Sequence, residues 1–153
     1  MNKKDTVVFD LDGTLLDTLE DLKNSVNYAM TQCGYPEHTL DEVRRYVGNG
    51  ILLLMQRAIP GGKDDPNFDK AFTLFKEHYG KHCNDTTKPY AGIMELLHTL
   101  KENNIKIAIV SNKADFAVKE LNAIYFKDLI LVAIGEKESE GIRKKPAPDT
   151  VIE

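Results

Sequence analysis

Thr6 to Phe9 is a short β-branched and aromatic run that breaks off at Asp10-Leu11-Asp12-Gly13-Thr14, and this junction constrains the fold more than any other stretch of the chain. The run reads as a buried strand and the Asp-Gly cluster as the polar turn at its tip. Residues two apart at a strand tip can point the same way, so Asp10 and Asp12 are placed to converge above a sheet. Paired carboxylates repel unless a cation or proton intervenes. A hard cation such as magnesium suits oxygen ligands, keeps several waters and recruits phosphate oxygens. A calcium loop would want an acid or amide at Thr14 and a glycine at Leu15, and has neither. Plain turn chemistry, in which Asp and Gly fold the chain back, stays open from the spacing alone.

The chain then becomes helical. Asp17 with Glu20 resembles a capping pair, and Leu19, Leu22, Val26, Ala29 and Met30 recur at helical spacing until Gly34. Thr39 with Glu42 starts a second helix, Gly48-Asn49-Gly50 interrupts it, and Ile51 to Ile59 forms a third, ended by Pro60-Gly61-Gly62. Asp65-Pro66 opens a fourth, with Ala71, Phe72, Phe75 and Tyr79 on one face. From Pro89-Tyr90-Ala91-Gly92 onward the pattern changes to alternating helices and strands. Ile93, Leu96, Leu97 and Leu100 mark a helix, Ile105 to Val110 a strand, Phe116, Leu121 and Ile124 another helix, and Leu129 to Ile134 another strand. Such βα units imply a parallel sheet. The helices between residues 17 and 83 therefore read as an insertion into an α/β fold.

Charge narrows the partners. The 153 residues carry 20 basic against 24 acidic side chains, a formal charge of −4, which leaves no uniformly basic surface for a nucleic-acid backbone. The apolar run before Asp10 is too short for a signal or membrane segment, so no membrane partner and a cytoplasmic location are expected. Cys33 and Cys83 lack CxxC spacing and read as reduced thiols.

A second chemical feature is Ser111-Asn112-Lys113, between the strand ending at Val110 and a helix expected to begin near Ala114. Ligands in open α/β sheets sit at the carboxyl ends of strands, where helix N-termini present amides to anions, so Ser111 is placed for a phosphate. The plainer reading is that Ser111 and Asn112 only cap the helix. Arg143-Lys144-Lys145-Pro146 taken alone reads as a solvated loop. His78 and His82 have the spacing of zinc ligands on a helix but no third ligand beyond Cys83. Leu52 to Met55 and Phe72 to Phe75 read as core rather than as a cofactor cradle.

Taken in order, Asp10-Leu11-Asp12-Gly13-Thr14-Leu15, Val110-Ser111-Asn112-Lys113 and Lys145-Pro146-Ala147-Pro148-Asp149 resemble the first three motifs of the haloacid dehalogenase superfamily, in its phosphatase branch. Val47-Gly48-Asn49-Gly50 and Gly141-Ile142-Arg143-Lys144-Lys145-Pro146 add a likeness to phosphoglycolate phosphatases and their close relatives. The resemblance implies a parallel Rossmann-like core sheet from residues 1–16 and 84–153, with an all-helical cap inserted at 17–83. It also implies a magnesium-dependent phosphatase acting on a small phosphorylated metabolite. Asp10 would be the nucleophile, Asp12 the general acid and then base, and Lys145 the neutralising cation. Asp10 and Asp12 would hold the metal, and Ser111 with Asn112 a phosphoryl oxygen. Lys113 and the cap residues Gly48, Asn49 and Gly50 would contact substrate.

The family also has a fourth motif, a Gly-Asp followed by another acid, which this sequence does not reach before Glu153. A truncated core is therefore expected, incomplete at the C-terminus, with an exposed sheet edge that invites self-association. A phosphosugar mutase of the same fold and a catalytically silent fragment are the competing readings.

Overall fold

The computed structural model describes residues 4–152; Met1 to Lys3, at the start of the expected core segment, and Glu153, at its end, lie outside the described residues. In chain order the elements are β1 (Thr6–Phe9), β2 (Leu16–Asp17), α1 (Leu19–Gln32), α2 (Leu40–Tyr46), α3 (Ile51–Ala58), α4 (Phe68–His82), β3 (Lys88–Pro89), α5 (Ile93–Glu102), β4 (Lys106–Ala114), α6 (Asp115–Tyr125), β5 (Val132–Glu136) and α7 (Asp149–Ile152). They form two compact units, one of Thr18–Lys88 and one of the chain up to Asp17 and from Pro89 onward.

The second of these is the α/β unit. Its sheet has the order β1-β4-β5, and both pairings are parallel, with Thr6 opposite Lys106, Phe9 opposite Ile109 and Val110 opposite Ile134. Ile107, Ile109 and Ala133 from the strands pack with Leu97, Val118, Leu121, Phe126 and Ile130, and with Leu11, Leu15 and Leu16 from the turn after β1. Among the described residues β1 has a strand partner on one side only, and Val8 stays 46% exposed there.

Two strands differ from expectation. β4 does not stop at Val110: after a register shift it continues to Ala114, which pairs with Glu136. β5 begins at Val132 rather than Leu129, because Leu129 and Ile130 donate their amides to Phe126 O and form a turn. On α6 the core face is Ala117, Val118 and Leu121, while Phe116 and Ile124 are half-exposed.

The helical unit buries Leu22, Val26, Ala29, Met30, Leu54, Met55, Phe75 and Tyr79, so the apolar stretches of these helices are core as expected, save Leu52, which is exposed. The Thr39–Glu42 capping box forms, Thr39 Oγ1 accepting from Glu42 N while the Glu42 carboxylate accepts from Thr39 N. The Asp17–Glu20 pair does not. Helix α1 starts one residue later than that pair requires, with Thr18 as N-cap, and Glu20 turns to Lys23 Nζ at 2.6 Å. The fourth helix begins at Phe68 rather than at Pro66, since Asp65 Oδ1 accepts from Asn67 N and makes a separate turn first.

The unit also runs past the expected end at residue 83. Asp21, 2% exposed, takes hydrogen bonds from both the amides and the hydroxyls of Thr86 and Thr87 at 2.8–3.0 Å, which fastens that segment to the first turn of α1.

Candidate active site

The turn after β1 is built around one carbonyl. Leu11 O accepts from the amides of Thr14, Leu15 and Leu16, while Gly13 N donates to Leu16 O, with Gly13 at φ +74°. That left-handed conformation favours glycine. With the Leu11 side chain buried completely, the flanking Asp10 and Asp12 are left partly solvated, their side chains 44% and 26% exposed.

Each carboxylate meets a lysine. Lys145 Nζ lies 2.9 Å from Asp10 Oδ1 and donates also to Val110 O at 2.9 Å. Lys113 Nζ lies 2.9 Å from Asp12 Oδ1, with its side chain 2% exposed. Both ammonium groups are thus tied to the second half of β4, Lys145 through Val110 O and Lys113 as a residue of that strand, so the loop carrying Lys145 and the turn carrying the aspartates meet there.

The residues of that stretch hold it in shape. Ser111 is buried, and its Oγ accepts from Lys113 N at 3.1 Å. Asn112 does not cap α6. Its Oδ1 accepts from Lys145 N at 2.8 Å and its Nδ2 donates to Lys145 O at 3.2 Å. Ala114 occupies the N-cap position without a side-chain bond, and Asp115 sits in the first turn, where a carboxylate suits the helix dipole. Asp115 Oδ1 also accepts from Gly135 N on β5 at 2.9 Å. Burial pushes the Asp115 carboxyl upward, but the Gly135 amide and the Lys119 ammonium outweigh it, and its pKa lies below the ordinary value. A Cβ on Gly135 would fall 2.4 Å from Asp115 Cα and 2.5 Å from Lys113 O, so this close crossing requires glycine.

The loop before α7 is stapled by Arg143, whose guanidinium and backbone amide all donate to the Asp149 carboxylate. This holds the Asp149 carboxyl below its usual range. The basic run therefore divides: Arg143 closes the loop and Lys145 reaches Asp10.

Gly48, Asn49 and Gly50 belong to the helical unit. Gly50 caps α3 at φ +89°, and Asn49 Oδ1 accepts from Arg57 Nη2 at 3.1 Å. His78 and His82 stack on each other at 4.3 Å; His78 Nδ1 faces Ser25 Oγ at 2.8 Å and His82 Nδ1 faces Asp85 at 2.7 Å. Among the described residues no group of three or more His, Cys, Asp or Glu side chains is arranged to hold a metal. Among the described residues Cys33 and Cys83 are not joined in a disulfide, and no helix is long and apolar enough to cross a membrane.

The donor chemistry at Asp10 and Asp12 suits magnesium, which binds through one or two carboxylates and completes its shell with water and phosphate oxygens rather than with an all-protein cage. Not legible in the sequence are the Lys113–Asp12 pair, the bonds from Asn112 to the Lys145 backbone and the bonds from Thr86 and Thr87 to Asp21, because each joins residues far apart along the chain.

The model of the haloacid dehalogenase-like hydrolases matches residues 7–153. The chain belongs to this family. Over 147 residues it is 33% identical to a phosphoglycolate phosphatase of Nitrosospira multiformis, covering 93% of this chain and 64% of that protein. It is 32% identical over 150 residues to a phosphoglycolate phosphatase of Aquifex aeolicus, covering 95% and 66%. A crystal structure of a proposed phosphoglycolate phosphatase from Lactobacillus delbrueckii subsp. bulgaricus superposes with a TM-score of 0.90 at 32% identity, covering 99% of this chain and 72% of that one. Matches to the curated relatives span between 42% and 66% of those proteins' own lengths.

Proposed function

We propose that this haloacid dehalogenase-like chain carries the nucleophile of a magnesium-dependent phosphatase that hydrolyses a small phosphomonoester such as 2-phosphoglycolate. The observation that supports it most is the Lys145 ammonium, 2.9 Å from Asp10 Oδ1 and fixed from behind by Val110 O. A cation held against one carboxylate at a strand terminus suits a nucleophile that must approach a phosphate dianion.

In this reading an Asp10 carboxylate oxygen attacks phosphorus, and the ester P–O bond breaks as Asp12 gives its proton to the departing alcohol. Water then attacks the phosphorus of the aspartyl phosphate, Asp12 takes a proton from it, and the Asp10 carboxylate is released with phosphate. One acid cannot serve as both nucleophile and proton carrier, which is why two are needed. Ser111 donates to a phosphoryl oxygen, and Lys145 neutralises charge on Asp10 and on the transferring group. Asp10 and Asp12 would hold magnesium, which would supply neutralisation of phosphoryl charge and orientation of the phosphate oxygens. Asn112 and Lys113 act through Lys145 and Asp12, and Gly48 to Gly50 contribute to substrate choice.

The test incubates the purified chain and an extended form with 2-phosphoglycolate and with a sugar phosphate, with and without magnesium, and follows free phosphate. Magnesium-dependent release from 2-phosphoglycolate by either form is the expected result, abolished by Asp10→Asn. No release by either form would overturn the proposal. Release confined to the extended form would locate the activity in the longer protein.

A further inference from the structure

We propose that Asn112 is a positioning residue, whose carboxamide fixes the backbone of Lys145 so that the ammonium meets Asp10. The inference rests on the reading of Lys145 as the neutralising cation. Lys145 lies in a segment without helix or strand, 33 residues along the chain from Asn112. A lysine has a flexible four-carbon stem, so its head is aimed only if its backbone is held. Two bonds do this: Lys145 N donates to Asn112 Oδ1 at 2.8 Å, and Asn112 Nδ2 donates to Lys145 O at 3.2 Å. The amide side chain offers the same donor and acceptor as a peptide group, and pairs with Lys145 as a neighbouring strand would. Val110 O, two residues before Asn112, takes the Lys145 head at 2.9 Å. The Val110–Asn112 stretch of β4 therefore grips Lys145 at both ends. Serine, leucine or aspartate at position 112 would each lose at least one of the two backbone bonds.

The test has two arms. The first is amide hydrogen exchange at Lys145: Asn112→Ala should exchange about fivefold faster or more, while the β4 and β5 amides keep their protection. Asn112→Asp, which keeps the acceptor and loses the donor, should lie between and serves as the second variant if the first fails to fold. The second arm is turnover: Asn112→Ala should lower kcat by about 10- to 100-fold with little change in KM, and add nothing in a Lys145→Ala background. Unchanged exchange at Lys145 in both variants overturns the proposal, as does a loss that adds fully to that of Lys145→Ala. If the parent chain and its extended form show no turnover, the phosphatase reading fails and the exchange arm alone judges the clamp.

Discussion

The Lys113 ammonium is sealed beneath the surface, its side chain 2% exposed, and its contact at 2.9 Å is with the Asp12 carboxylate, itself only 26% exposed. Burying an ammonium is costly unless a carboxylate accompanies it, so each group stabilises the other's placement. Lys113→Met removes the cation but keeps the stem volume, leaving a partly buried carboxylate. The expected loss is about 1–3 kcal/mol in urea unfolding. Adding Asp12→Asn should recover part of it; a double variant as unstable as the sum of the two singles would sink the coupling.

Lys145 should behave oppositely. Its side chain is 32% exposed and that of Asp10 44%, so as a stability element the pair is worth only about 0.2–1 kcal/mol. In the proposed phosphoryl transfer, where it would face the phosphoryl group, it should matter far more. Lys145→Ala should lower phosphate release on the order of 10²- to 10³-fold while the urea midpoint barely moves. A matching collapse of stability would mean that the lysine is structural.

Much of this was legible from local pattern. The strand that stops before Asp10, the alternating helices and strands that imply parallel pairing, and the Thr39–Glu42 capping box follow from local sequence pattern, and the structure has them. What could not be read depends on partners far along the chain. β4 outruns Val110 because Lys113 O and Asp115 close against Gly135 on the next strand, and nothing near Ser111 announces that. Asn112 looks like a helix cap until Lys145 is found beside it. Asp17 and Glu20 have cap spacing, but the helix begins at Leu19 and passes them by.

Gly135 offers a direct check on that crossing. Alanine there would place a methyl 2.4 Å from Asp115 Cα and 2.5 Å from Lys113 O, both backbone atoms that cannot swing aside. Overpacking of this kind costs about 1–3 kcal/mol. Gly135→Ala should lower the melting temperature and, by shifting Lys113, reduce turnover, whereas Gly80→Ala, in α4 with open space at its Cβ position, should leave turnover unchanged and raise the melting temperature slightly.

Asp21 carries a comparable load in the helical unit. Its carboxylate accepts from Thr86 N, Thr86 Oγ1, Thr87 N and Thr87 Oγ1 at 2.8–3.0 Å. Asn in its place turns one acceptor into a donor facing other donors. Asp21→Asn should cost about 1–3 kcal/mol, read as a lower urea midpoint, and a shift below about 0.5 kcal/mol, within the range of ordinary surface substitutions, would show that the segment is held by other means.

The helical unit should also weaken in mild acid, through His78. Burial pushes the His78 imidazole below its ordinary value of 6.5, and the neighbouring His82 adds to this, while Asp85 opposes it. The ring stacks on Tyr28 at 4.5 Å and on His82 at 4.3 Å, with Ser25 Oγ at Nδ1. Because the folded pKa lies below the unfolded one, the unfolded chain binds more protons in the interval between them, and stability rises with pH there. The contribution is complete above about pH 6.5, the ordinary histidine value, and is lost as pH falls through the folded pKa. The urea midpoint of the helical unit should therefore drop between pH 7.5 and pH 5.5. His78→Gln, which keeps a polar group near Ser25 but cannot titrate, should flatten that drop, and an equally steep profile in the variant would assign the effect to another group.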